Sequence, residues 1–371
     1  MKLKEIQLPS KQASKQASKQ ASKQASKQAS KQASKQASKQ ASISYLRIFA
    51  TMCVVVLHTC STLGENSKVF SLNHRQLIFF NTSYQIMYWC VPVFLMITGG
   101  VLLKKEKCIY TIEWITKYAR RTVLALIIFG IPYAGLKIIM QDGSSRSLLD
   151  KTVFAVLTDT GFGHLWYLYV LTSIYLIMPI LKNFTDKATE EEIKFFLAML
   201  FLLDFCIPQI SKVLGINIAI KSQLLYPIFY VLLGQWLLQH KNSFDVKVLV
   251  SIACLCIVFI GTVNIVTCNS QSWTQYDSPL IAIFSGTIFL LFVKREWKHT
   301  VWLWSVDRLC FGVYLIHPLV IQFSYRFLKI TPVNFKLFPI ITVVFALVFI
   351  TLSFVASWIM RQIKFLQKYV L

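Results

Sequence analysis

The chain has 371 residues with 39 Lys+Arg against 16 Asp+Glu, a net charge of +23, yet 55% of it is apolar and only 15% charged. A soluble domain carries about 25% charged residues, a nucleic-acid binder this basic would not also be this apolar, and 28 Phe and 9 Trp exclude disorder of the whole chain. What remains is an all-α polytopic membrane protein whose positive charge lies outside the bilayer.

The first element is a tail, residues 1–42. Ser10 to Ala41 is eight copies of Ser-Lys-Gln-Ala, and with Lys2, Lys4 and Glu5 the tail holds +9 of the +23. It has no apolar residue larger than Ala between Ser10 and Ala41, so it cannot bury a face in lipid or in a core. On a helix its lysines would drift by about 40° per repeat, a spiral rather than an amphipathic stripe. Two readings stay open. The tail is solvated, disordered or weakly helical, or it touches an anionic inner leaflet at up to about 1 kcal/mol per lysine. In both, its lysines place the N-terminus in the cytoplasm. No cleavage region follows its first apolar run, so it does not read as a signal peptide.

A membrane domain follows, residues 43–365, and a short cytoplasmic tail, 366–371. A span needs about 20 mostly apolar residues. Ten segments fit in chain order: 43–62, 84–103, 122–141, 164–181, 194–210, 223–239, 247–267, 279–293, 306–326 and 339–360. The second can begin near Leu77 as an interfacial piece, the eighth is short, and the 142–163 loop has room for an interfacial helix. With the N-terminus inside, the inner loops hold 17 Lys and Arg beyond the tail and the outer loops eight. That bias favours ten spans with both termini cytoplasmic at the cell membrane. The cysteines lie mostly within or beside spans and behave there as small apolar residues. No metal-binding Cys or His spacing occurs, while Cys60, Cys90 and Cys268 approach the expected outer face, where a disulfide is conceivable.

Ionisable groups inside spans are functional candidates, because an unpaired one costs several kcal/mol there. The first span carries Arg47 and His58. Eleven residues turn an α-helix to within about 20° of three full turns, so both side chains share one face about 16 Å apart along the axis. The alternatives are an Arg47 that snorkels to the inner interface and a His58 that is internally hydrogen-bonded. Lys117, Arg120 and Arg121 precede the third span. They serve topology alone, or they form an anion site in which Arg offers a bidentate fit to phosphate. His164 opens the fourth span, and Trp166, Tyr167 and Tyr169 after it are either an interfacial aromatic belt or a stacking surface for sugar rings. Asp204 lies inside the fifth span, and His317, followed by Pro318, inside the ninth, with Arg308 at its inner end.

Five stretches in order resemble the membrane acyltransferase type 3 family. They are the Arg47-x10-His58 pattern, Val93 to Gly100 (VFLMITGG), Lys117-x-x-Arg120-Arg121, His164 to Tyr169 (HLWYLY) and Phe311 to Pro318 (FGVYLIHP). The resemblance covers about residues 43–365 and is closest to the stand-alone branch that acylates surface polysaccharides. The acid that many members carry three residues before the Arg is here Ser44. The resemblance implies an O-acyltransferase that moves an acyl group, usually acetyl, from acyl-CoA as co-substrate to a hydroxyl of a surface polysaccharide or lipid-linked sugar, with no permanently bound cofactor and no nucleic-acid partner. In that scheme His58 is the general base, Arg47 positions the donor or stabilises developing charge, and Lys117, Arg120 and Arg121 hold the CoA phosphates. His164, Trp166, Tyr167 and Tyr169 face the acceptor. Gly99 and Gly100 allow close backbone approach, for a substrate or for a neighbouring helix, and His317-Pro318 is structural. A secondary transporter using Arg47, His58 and Asp204 as a path, and an inactive scaffold suggested by Ser44, are the competing readings.

Overall fold

A computed structural model describes residues 40–104, 111–142, 148–158, 163–219, 225–267, 271–298 and 300–371. Residues 1–39, and with them nearly all of the repeat tail, lie outside the described residues, as does Cys268. Among the described residues there are helices and turns and no strand.

The main helices are α1 (Gln40–Gly64), α2 (His74–Leu102), α3 (Thr116–Ile139), α4 (Leu148–Leu157), α5 (Gly163–Lys187) and α6 (Glu190–Leu214). They continue with α7 (Tyr226–Gln239), α8 (Val246–Thr267), α9 (Pro279–Lys294), α10 (Val301–Asp307), α11 (Cys310–Phe327), α12 (Phe338–Met360) and α13 (Lys364–Tyr369). Seven are long and apolar enough to cross a membrane, and α10 with α11, bent by 50° at Arg308–Leu309, makes an eighth. Each of the ten expected segments coincides with a helix, but α7 has 14 residues and α9 has 16, short of a full span. The expected early start of the second segment is seen, since α2 runs 29 residues from His74. A capping box sets that start: Gln76 N donates to Asn73 Oδ1, and Asn73 N to Gln76 Oε1. The helix expected in the 142–163 loop is α4.

The short helices are interior ones. α7 buries Phe229, Tyr230, Val231, Leu232, Gly234 and Gln235 among others, on all sides rather than on one stripe. The outer helices invert the soluble pattern. α12 buries Thr342, Ala346, Phe349, Ser353 and Ser357, at steps of three and four residues, and exposes Ile340, Val343, Val344, Leu347 and Val348. α8 does the same, burying Leu249, Ala253, Cys256, Ile260 and Asn264. Large apolar groups outward and small or polar groups inward is the pattern of a lipid-facing helix, because lipid gives no hydrophobic reason to turn Leu or Val inward. The buried amides are paired accordingly: Asn264 Nδ2 donates to Gln85 Oε1 of α2 at 2.9 Å, and Gln235 Nε2 to the Leu103 carbonyl at the end of α2 at 3.2 Å.

The glycines of the Val93–Gly100 stretch belong to this packing. A Cβ on Gly99 would run into the Val231 carbonyl of α7, and one on Gly234 into the Met96 carbonyl of α2. So α2 and α7 touch backbone to backbone, and Gly99 is needed for helix contact rather than for a ligand. Cys60 and Cys90 are buried free thiols, and no disulfide joins them.

The bend between α10 and α11 is braced from the end of α12, where side chains donate to two of its carbonyls, although the Leu309 carbonyl also accepts the helical bond from Val313 N at 2.9 Å. Ser357 Oγ donates to the Leu309 carbonyl at 2.8 Å, and Arg361 Nη1 to the Arg308 carbonyl at 2.9 Å.

Gly99→Val and Gly234→Val should each destabilise the fold by about 1–3 kcal/mol or more, the usual cost of overpacking a tight contact. Gly261→Val should be nearly neutral, since a Cβ there meets nothing within 4 Å. Thermal unfolding of the three variants in one detergent checks the order.

Candidate active site

α1 is unbroken from Gln40 to Gly64, so the eleven-residue spacing holds, and Arg47 and His58 both line a single cavity of about 440 Å³. Its walls come from α1, α2, α3, α5, α10, α11, the turn before α9 and the C-terminal Leu371. The Arg47 end is charged. Arg47 Nη1 donates to Asp307 Oδ1 at 2.7 Å and to Oδ2 at 2.6 Å, and Ser44 Oγ donates to Oδ2 at 2.9 Å. The pair is partly buried. The acid that a residue at position 44 would have supplied therefore comes from α10, and Ser44 is its hydrogen-bond partner. Asp307 also lines the cavity, and sequence reasoning missed it. A signal existed, an acid beside Arg308 at the start of a membrane segment.

The basic cluster before the third span is divided. Lys117 and Arg120 are exposed and do not line the cavity. Lys117 Nζ lies 5.3 Å from the Tyr118 ring centre, and the Arg120 guanidinium lies over Tyr369 at 5.7 Å. Arg121 does line it, but its donors are engaged: Nε donates to the Val370 carbonyl at 2.6 Å and Nη2 to the Leu371 carbonyl at 2.8 Å. Its guanidinium also stacks 4.8 Å from the Phe311 ring. A three-residue phosphate clamp is thus not preassembled here. The other guanidinium at this end is Arg308, exposed, lining the cavity and lying 5.7 Å over Trp304.

The His58 end is aromatic. Trp166 and Tyr167 line it as expected, Trp166 beside Tyr276 at 5.2 Å and Tyr167 beside Tyr314 at 5.8 Å. Tyr276 sits in the turn before α9 and had no sequence signal. Tyr169 does not join them. Its hydroxyl donates to the Val156 carbonyl and ties α5 to α4. His164 is buried and lines the cavity, and its own carbonyl accepts from Tyr314 Oη at 2.7 Å. Behind the cavity wall stands His317, 5.0 Å from His58 and 5.8 Å from His164 between ring centres. It was expected to be structural, yet three histidines from α1, α5 and α11 meet here. Asp204 is buried in a π-turn of α6 and is not among the cavity residues.

A family model described as an acyltransferase domain matches residues 40–361. The chain belongs to the membrane acyltransferase type 3 family. No curated protein and no solved structure matches it. Its helices and this family make it a multi-pass membrane protein and a transferase of acyl groups. The match begins at the start of α1 and ends just after α12, so every residue that lines the cavity except Leu371 falls inside the acyltransferase domain.

Asp307→Asn removes the charge partner of Arg47 and should destabilise the acyltransferase by about 1.5–3 kcal/mol, the range for hydrogen bonds to charged groups. Because Ser44 already touches the same carboxylate, Ser44→Asp in the Asp307→Asn background should recover part of the loss. Melting temperatures of the parent, single and double variants test the exchange.

Proposed function

We propose that this acyltransferase moves an acyl group, acetyl by preference, from acyl-CoA to a hydroxyl of a surface polysaccharide or lipid-linked sugar. The observation that carries the reading is one cavity with a guanidinium at one end and an imidazole among aromatic rings at the other. The spacing assigns the ends. Arg47 stands three helical turns, about 16 Å, from His58. It is too far away to stabilise charge on an atom beside His58, so its role is with the distant polar part of the donor. About 440 Å³ suits a drug-sized group. An acyl-pantetheine arm fits that space, with the nucleotide left outside near Arg308 and Arg121.

In this scheme the acceptor sugar lies against Trp166, Tyr167 and Tyr276 at the far side of the membrane. His58 takes the proton of its hydroxyl as the oxygen attacks the thioester carbonyl. The new C–O bond forms, the C–S bond breaks, and the thiolate leaves with the proton that His58 returns to it. An imidazole suits both steps because its ordinary pKa lies near neutrality. A transport path through Arg47, His58 and Asp204 has less support, because Asp204 stands apart from the cavity that holds the other two.

Proteoliposomes loaded with labelled acetyl-CoA and supplied with a sugar acceptor test the reading. The parent should transfer label, His58→Ala should lower kcat by about 10²–10⁴-fold, and Arg47→Ala should raise the KM for the donor. A parent protein that neither binds CoA nor transfers label would sink the proposal.

A further inference from the structure

We infer that His317 is a positioning residue for His58, accepting a hydrogen bond from its ring N–H and so leaving the other His58 nitrogen as a lone pair toward the cavity. The role as base rests on the proposed function, but the hydrogen-bond relation does not.

The inference starts from burial and valence. His317 is fully buried and does not line the cavity. Its Nδ1 lies 3.0 Å from the Val313 carbonyl oxygen, four residues back on α11. A carbonyl can only accept, so Nδ1 carries the hydrogen, and in the neutral ring Nε2 is then an acceptor. That Nε2 has no hydrogen-bond partner among the described residues. A buried acceptor without a donor is costly and calls for an explanation.

The nearest imidazole is the one on which the chemistry depends. His58 and His317 lie 5.0 Å apart between ring centres, at 44°. They are not hydrogen-bonded in this conformation, but the separation lets facing ring nitrogens come within hydrogen-bond reach through rotation of the half-buried His58 ring. The cluster is completed by His164, whose ring centre lies 5.8 Å from that of His317, 5.5 Å from that of Tyr133 and 5.9 Å from that of Tyr314. His317 thus stands to His58 as an orienting acceptor stands to a catalytic histidine, with a neutral nitrogen in place of the usual carboxylate. A neutral acceptor fixes the tautomer without adding a buried charge to a membrane interior, where one would be costly.

Pro318 supports the geometry. It has no N–H, so the Tyr314 carbonyl loses its helical donor within a helix that runs on from Cys310 to Gln322. The Nδ1 contact to Val313 then anchors the ring to its own helix.

Two readouts test this. The first needs no turnover: diethylpyrocarbonate attacks the unprotonated nitrogen of an imidazole, and its rate at His58 is followed by mass spectrometry on the full chain in nanodiscs. His317→Leu should slow labelling of His58 by about tenfold, the factor a single neutral hydrogen bond supplies. His317→Gln, which keeps an acceptor, should restore most of the rate, and labelling of His240 should be the same in all three proteins. The second is kinetic: His317→Leu should lower kcat with the donor KM unchanged, and His317→Gln should recover part of it. Equal His58 labelling in parent, Leu and Gln variants overturns the inference. So does an equal loss in both variants accompanied by a lower melting temperature, which would make His317 a packing residue. If the labelling pattern is as expected and the parent transfers no acyl group, the hydrogen-bond relation stands and the proposed function falls.

Discussion

The ion pair between Arg47 and Asp307 is the constraint on which the rest of the site depends. A guanidinium inside a membrane segment needs a partner, and this one joins α1 to the last residue of α10, where the chain bends by 50° into α11. The bend is braced in turn by Ser357 of α12, which donates to the Leu309 carbonyl, and by Arg361 just after α12, which donates to the Arg308 carbonyl. One electrostatic contact is therefore linked to four helices, α1, α10, α11 and α12, and α1 and α11 meet again at His58 and His317.

The fold was legible where its signals are local. Hydropathy marked every helix that the structure shows at those ten segments, and the α1 periodicity put Arg47 and His58 on one face. It did not tell which segments are interior. α7 and α9 read as spans from composition, but they are short helices enclosed by protein, and apolar side chains look the same whether lipid or a neighbour covers them. The small residues are the better guide to that distinction. Gly99 and Gly234 mark the α2–α7 contact because only a missing Cβ allows two backbones to touch.

The cavity was legible on α1 and at the start of α5, where the residues that line it share one element. It was less so wherever partners come from distant parts of the chain. Asp307 lies 260 residues from Arg47, and no periodicity links them. His317, followed by Pro318, looked structural, and its contact with His58 exists only after α1 and α11 are packed. The basic cluster is a case in the opposite sense. Lys117, Arg120 and Arg121 allowed topology alone or one anion site, but only Arg121 lines the cavity, and its donors go to the Val370 and Leu371 carbonyls.

The substitution at Ser44 shows what such a motif constrains physically. An Arg inside a membrane segment requires neutralisation by an acceptor at bonding distance, not an acid at a fixed place in the chain. Here the carboxylate arrives from α10, and the hydroxyl at position 44 donates to it rather than competing with it. That arrangement leaves the carboxylate with two bonds from one nitrogen of Arg47 and one from Ser44. A guanidinium has five N–H donors in a rigid fork, so donors on its other nitrogens remain to meet an anionic group. The exchange of partners therefore preserves the charge balance and leaves donors of Arg47 open, so Ser44 by itself gives no reason to regard the protein as inactive.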